Sequence, residues 1–264
     1  TTTSPLSPLA PPSSESEPTV RPPPPPTLLL LHTISLSSFS VLEKLLSFHP
    51  DQEHASLTRI DHNQKWTLIH HAAFLGEPEC LHVLLQSIPS PESFKAVLKG
   101  RRGNTPLHLA AAGPQSIRHA ECVRLLLRSS VAQHEIRNKD GLIPLQLACQ
   151  AGTLTVVELL WEHQPSLAKA TGRSSLPRGV RNTASGKQKR RRDLLHNFHL
   201  SPMTPLEIAA FFGRHDVLTL LCNKMHRRLR AEHLAAPLVW CTESGHTECV
   251  HVLCERMVTI RGVT

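Results

Sequence analysis

The sequence predicts an all-α solenoid: a row of stacked helix-turn-helix units joined by hairpin-like loops. Three observations predict it. One composite pattern, a leucine-rich start, a pair of small residues, a glycine and then a second apolar run, returns five times in the 264 residues. Proline stands at the start of four of the five copies and glycine at the end of all five first runs, the asymmetry of short capped helices. Aromatics make up only 4% of the chain and there is no Tyr, so the core must come from Leu, Ala, Val and Ile, which favours helices over a β-sandwich.

The N-terminal segment, residues 1–27, is Pro, Ser and Thr with few apolar side chains. Such a segment cannot offset its ordering entropy and is expected to be a solvated tail. Pro22 to Pro26 favours polyproline II, but Thr27 stands where a class I SH3 ligand needs Pro, and a PPxY ligand needs a Tyr. From Leu28 the pattern changes. A degenerate cap unit is expected over 28–50, with Leu28 to Leu36 and Phe39 to Ser47 as its two helices.

The five clearer copies fall at 60–87, 101–128, 137–163, 201–223 and 234–256. Their first runs read WTLIHHAAFLG from Trp66, NTPLHLAAAG from Asn104, LIPLQLACQAG from Leu142, MTPLEIAAFFG from Met203 and AAPLVWCTESG from Ala235. The second runs are ECLHVLL from Glu79, ECVRLLL from Glu121, TVVELLW from Thr155, DVLTLLC from Asp216 and ECVHVLC from Glu248. In the second copy Thr105 is placed to cap a helix, Pro106 to occupy its first position and Gly113 to relieve its end. Leu107 and Leu109 are expected to face neighbouring units, and Ala110 and Ala111 to let two helices approach. Thr67, Thr105 and Ile143 recur at intervals of 38 residues, while Ile143 to Thr204 takes 61, so a long insertion spans 164–200.

These motifs resemble the ankyrin repeat, with its Thr-Pro-Leu-His-x-Ala-Ala-x-x-Gly signature and a Val/Leu-rich second helix. The resemblance covers 60–256 apart from insertions and is most specific at Gly103–Leu127 and Met203–Cys222. It implies an ankyrin-repeat solenoid in which His108 bonds from its helix start to a neighbouring turn. Only His70 and His108 keep that His; Gln146, Glu207 and Val239 replace it, so the side-chain network is expected to weaken toward the C-terminus.

The resemblance also implies a non-catalytic scaffold or adaptor that binds an unidentified protein partner through loop tips and the concave surface of the first helices. By position, the tip candidates are Asn63, Gln64, Lys65 and Trp66, then Arg101, Arg102 and Asn104, then Asn138, Lys139, Asp140 and Leu142. The groove candidates are Phe74 and Leu75, Gln150 and Ala151, Phe211 and Phe212, and Glu243 and Ser244. Phe74, Phe211 and Phe212 are the strongest of these, because exposed aromatics are common binding anchors.

Charge is concentrated in one place. Residues 172–192 hold eight Lys and Arg and no acid, leaving 21 basic and 21 acidic residues elsewhere. Lys187, Lys189, Arg190, Arg191 and Arg192 resemble a nuclear import signal, so an import receptor is a candidate second partner and a cytoplasmic or nuclear location is expected. That segment has no aromatic for base stacking, which argues against nucleic acid.

No catalytic motif and no P-loop ending is present. The seven cysteines contain no C-x-x-C pair and align with core positions, so they are read as small core hydrophobes. His196 and His199 stand i,i+3 without an evident third ligand. No cofactor, metal or transmembrane segment is expected, and a monomer is the expected state. Two alternatives stay open: a regulatory segment of a larger enzyme or channel, and a nuclear factor that uses the basic segment for import or nucleic-acid association.

Overall fold

The computed structural model describes residues 26–48, 65–87, 100, 102–129, 135–163 and 203–261. These form six helix pairs: α1 Pro26–Ser35 with α2 Phe39–Phe48, α3 Leu68–Leu75 with α4 Pro78–Gln86, and α5 Pro106–Ala112 with α6 Ile117–Arg128. Then come α7 Pro144–Ala151 with α8 Leu154–His163, α9 Pro205–Phe211 with α10 His215–Lys224, and α11 Ala231–Ser244 with α12 Thr247–Arg261. First helices pack on first helices and second on second, giving two layers that run without a break from α1 to α12. The stack continues across the long insertion, because α9 lies on α7 and α10 on α8. The Pro/Ser-rich tail before Pro26, the insertion after His163, Asn63, Gln64, Arg101, and the histidines 196 and 199 lie outside the described residues.

The core forms where the repeated pattern puts small and branched side chains. Ala72 and Ala73, Ala110 and Ala111, Ala148 and Cys149, and Ala209 and Ala210 are all fully buried, which lets adjacent first helices approach closely. Leu81, Leu84, Val123, Val157, Leu160, Leu218 and Leu253 close the space from the second layer.

Each of the first helices α3, α5 and α9 starts with the same local device. Thr67, Thr105 and Thr204 cap them, each hydroxyl accepting from the backbone N–H three residues on. His70 and His108 complete the capping box. Nδ1 of His108 accepts from the Thr105 N–H (3.2 Å), which leaves Nε2 to donate to the Leu142 carbonyl of the next unit (3.0 Å). His70 does the same from Thr67 to Asn104 (3.2 and 3.3 Å).

The expected weakening starts one unit later than the lost His suggests. Gln146 replaces both functions: its Oε1 accepts from Ile143 N–H (2.9 Å) and its Nε2 donates to the Met203 carbonyl (2.6 Å). Glu207 keeps only the first, accepting from Thr204 N–H (2.7 Å). The next unit also starts differently. The motif predicts a helix from Pro237, but α11 begins at Ala231 and carries Pro237 inside it. His233 makes this earlier start, its Nδ1 accepting from Arg230 N–H (3.1 Å).

The ends of the first helices correct one expectation. Gly76, Gly152 and Gly245 terminate α3, α7 and α11 in left-handed conformation, with φ of 72°, 85° and 76°. Gly113 does not: its φ is −64°. It is glycine because a Cβ there would stand 2.1 Å from Cδ2 of His119. His119 is buried, and its Nε2 donates to the Phe74 carbonyl of the preceding unit (3.2 Å). Arg214 and His246 hold the same aligned position and lap back in the same way. Arg214 lies over Gly152 and donates to the Gln150 carbonyl (3.1 Å), and His246 lies over Gly213 and donates to the Phe211 carbonyl (3.1 Å).

Six of the seven cysteines are buried as read; Cys254 is exposed, a correction. It ends the apolar run of α12, where no helix among the described residues covers it. Burial pushes the Cys80 thiol up to about 11 and Cys122 to about 12, and raises Cys149 further. Cys241 is pushed up by its hydrogen bond with Cys249 and by burial. These thiols stay protonated at neutral pH and are poor nucleophiles. With a chromogenic disulfide reagent at pH 8, one thiol is therefore expected to react at once and the others only after denaturant. Loss of the fast phase in Cys254→Ser identifies it, and a second fast thiol in the native protein would contradict the burial described.

Candidate functional site

The loop tips are tied to one another, and this separates structural tip residues from available ones. Lys139 N–H donates to the Arg102 carbonyl (2.8 Å), and Asn138 Nδ2 to Asn104 Oδ1 (2.9 Å). Asn138 Oδ1 accepts from Leu142 N–H (2.9 Å), closing its own turn. Asn104 and Asn138 are thus cross-struts between tips. Leu142 is only 4% exposed and its carbonyl receives His108, so it is a core residue and not a tip contact. That leaves Lys65, Arg102, Lys139 and Asp140 exposed.

Lys65 is unusual in its backbone. Gly103 and Gly141, two residues before Thr105 and Ile143, take φ of 73° and 75°. Lys65, two residues before Thr67, takes φ 55° with a full side chain. Left-handed backbone costs a non-glycine residue about 1 kcal/mol. Lys65→Gly is accordingly expected to raise stability by about 1 kcal/mol in urea unfolding, and no gain would mean the turn relaxes around the lysine.

On the groove side, Trp66 leaves the first tip and lies along α3. Its ring stands 5.2 Å from His71, edge-on, and 5.2 Å from Phe74, tilted by 47°. Phe74 is 51% exposed and Leu75 42%. With the Trp66 ring they form an open apolar patch at the end of α3. Gln150 and Ala151 are half-buried.

Phe211 and Phe212 do not stand free. Phe211 packs edge-on against Phe212 (5.1 Å) and Trp240 (5.7 Å), and both phenylalanines rest on the core. Glu243 is exposed and Ser244 half-buried at the end of α11. The structure thus brings Trp66, Phe74 and Leu75 together and leaves Phe211 and Phe212 half-buried in an aromatic contact of their own.

Sequence reasoning passed over one basic feature. The turn between α10 and α11 presents His226, Arg227, Arg228 and Arg230, all exposed. It occupies the same place in its unit as the tips at Arg102 and Lys139. Arg101 and the import candidates Lys187, Lys189, Arg190, Arg191 and Arg192 lie outside the described residues. Among the described residues, no group of three or more His, Cys, Asp or Glu could hold a metal ion, and no helix is long and apolar enough to cross a membrane.

Two comparisons bear on this arrangement. A family model for ankyrin repeats, in three copies, matches residues 30–134. Among solved structures, the chain is similar to the ankyrin repeat domain of Bcl-3, described as a unique member of the IkappaB protein family. The TM-score is 0.58 at 19% sequence identity, over 86% of this chain and 85% of that one. At that identity the likeness speaks to the fold. The family match starts inside α1, so it includes the helix pair before Trp66.

Proposed function

Starting from the premise that this chain is an ankyrin-repeat protein, we propose that it is a non-catalytic scaffold or adaptor whose loop tips and groove hold a protein partner. The observation that carries this reading is the patch of Trp66, Phe74 and Leu75 beside exposed tip cations. Two large apolar side chains about half exposed, next to a half-buried indole, match the composition of binding anchors. The solenoid braces the surface, because the starts of α3, α5 and α7 are each hydrogen-bonded to the tip of the following unit. The histidines and glutamine that could have suggested chemistry are committed to these bridges.

The five cations from Lys187 to Arg192 fit an address read by an import receptor, separate from the recognition surface. One experiment tests both. Nuclease-treated affinity capture compares the intact chain, a variant with those five cations changed to Ala, and Trp66→Ser/Phe74→Ser. The expected result is a set of proteins shared by the first two baits and lost from the third, with import receptors lost only from the second. Capture that ignores the Trp66 and Phe74 changes would refute the surface assignment.

A further inference from the structure

We infer that the partner presents an extended acidic segment, with carboxylates at every third residue and an aliphatic or aromatic side chain beside the first of them. This deepens the recognition reading above and rests on it. Lys65, Arg102 and Lys139 stand on three successive tips and are all exposed. Arg137 adds a fourth exposed cation, against two carboxylates, Glu135 and Asp140, on the same tips. The carboxylates of the units lie elsewhere: Glu77 and Glu79 pair with Arg118, Glu121 with Arg124, and Glu158 and Glu162 with Lys224. Among the described residues the three tips thus carry a cationic excess although the body of the chain is neutral.

Geometry sets the spacing. Packed helices stand about 9 Å apart, so successive tips are separated by about that distance. An extended segment in polyproline II conformation rises about 3.1 Å per residue with three residues per turn, so every third side chain lies on one face and meets a new tip. Trp66 and Phe74 lie beside the Lys65 tip, which puts the apolar anchor at that end. Lys65 supplies an independent observation: it holds a left-handed conformation where the next two tips use glycine. A cation kept against backbone strain is the pattern of a site selected for contact.

A nucleic-acid strand fits less well. The Trp66 ring already meets His71 and Phe74, which leaves it poorly placed to stack on a base, and Asp140 and Glu135 interrupt the row.

The test pans random 12-residue peptides displayed on phage against the full chain and measures enriched peptides by fluorescence anisotropy. The inference expects enrichment of Asp or Glu at three-residue spacing with a nearby Leu, Ile, Phe or Trp. Affinity should fall at least tenfold in Lys65→Glu/Arg102→Glu/Lys139→Glu, and several-fold in Phe74→Ser. Lys65→Gly should weaken binding several-fold while raising the urea midpoint, an opposition that general damage to the fold cannot produce. Enriched peptides that lack acids yet depend on Phe74 would overturn this inference and leave the recognition reading standing. Peptides indifferent to both sets of changes, or no enrichment, would overturn both. A 12-nucleotide oligo(dT) or phosphatidylserine vesicles bound more tightly than the peptides, and lost on the same charge reversal, would also overturn it.

Discussion

Replacing His108 with alanine is expected to destabilise the protein by about 3 kcal/mol, and replacing it with glutamine by less than about 1 kcal/mol. His108 is fully buried and joins two units: it accepts from Thr105 N–H and donates to the Leu142 carbonyl. Alanine leaves a buried backbone N–H without its acceptor, removes one donor from Leu142 and opens a cavity. Glutamine has one acceptor and one donor at similar reach, and Gln146 already uses both in that way at the next junction. Urea unfolding of the two variants checks this. Equal losses would mean that the imidazole acts through shape, and the bridge account would fail.

The second large effect concerns Gly113. Gly113→Ala is expected to cost about 2 kcal/mol although its backbone suits any residue. The new methyl would lie 2.1 Å from His119 Cδ2 and 2.5 Å from Nε2, so the ring must leave the Phe74 carbonyl. The contrast is Gly76→Ala, where a Cβ would lie 2.5 Å from the same ring and the backbone is also left-handed at φ 72°. In a His119→Ala background the Gly113 change should become nearly neutral. The Gly76 change should keep about 1 kcal/mol, the part that belongs to its backbone. A double-mutant cycle with equal residual costs at both positions would refute the distinction.

The fold was largely legible because its determinants are local and repeat. Caps at Thr67, Thr105 and Thr204, the small pairs and the terminal glycines each act within a few residues. What escaped sequence reading depends on contacts between units. Gly113 looks like any other terminal glycine until His119 is seen across it. The aligned His119, Arg214 and His246 were visible just ahead of the second apolar runs, but nothing in a single unit shows them reaching back. Pro237 marks a helix start everywhere the motif holds, and His233 moved that start. The surface was half legible. Phe74 is exposed and Phe211 is not, though both follow an alanine pair, because only Phe211 has a tryptophan from the next unit beside it. Summed charge concealed the cationic ridge, since the balancing carboxylates sit on other faces.

The lapping of His119 over Gly76 and Gly113 has a consequence for how such a chain can change over generations. A unit carrying this histidine is a lock cut for one key: it requires glycine both behind it and at its own turn. Arg214 asks the same of Gly152, and His246 of Gly213. Because all five first runs end in glycine, such a side chain meets a glycine whichever of these units precedes it. The units can therefore be exchanged at this contact, whereas a mutation at one of these glycines is felt first in the unit that follows it, so the burden of change falls on the seam between units and not on their order.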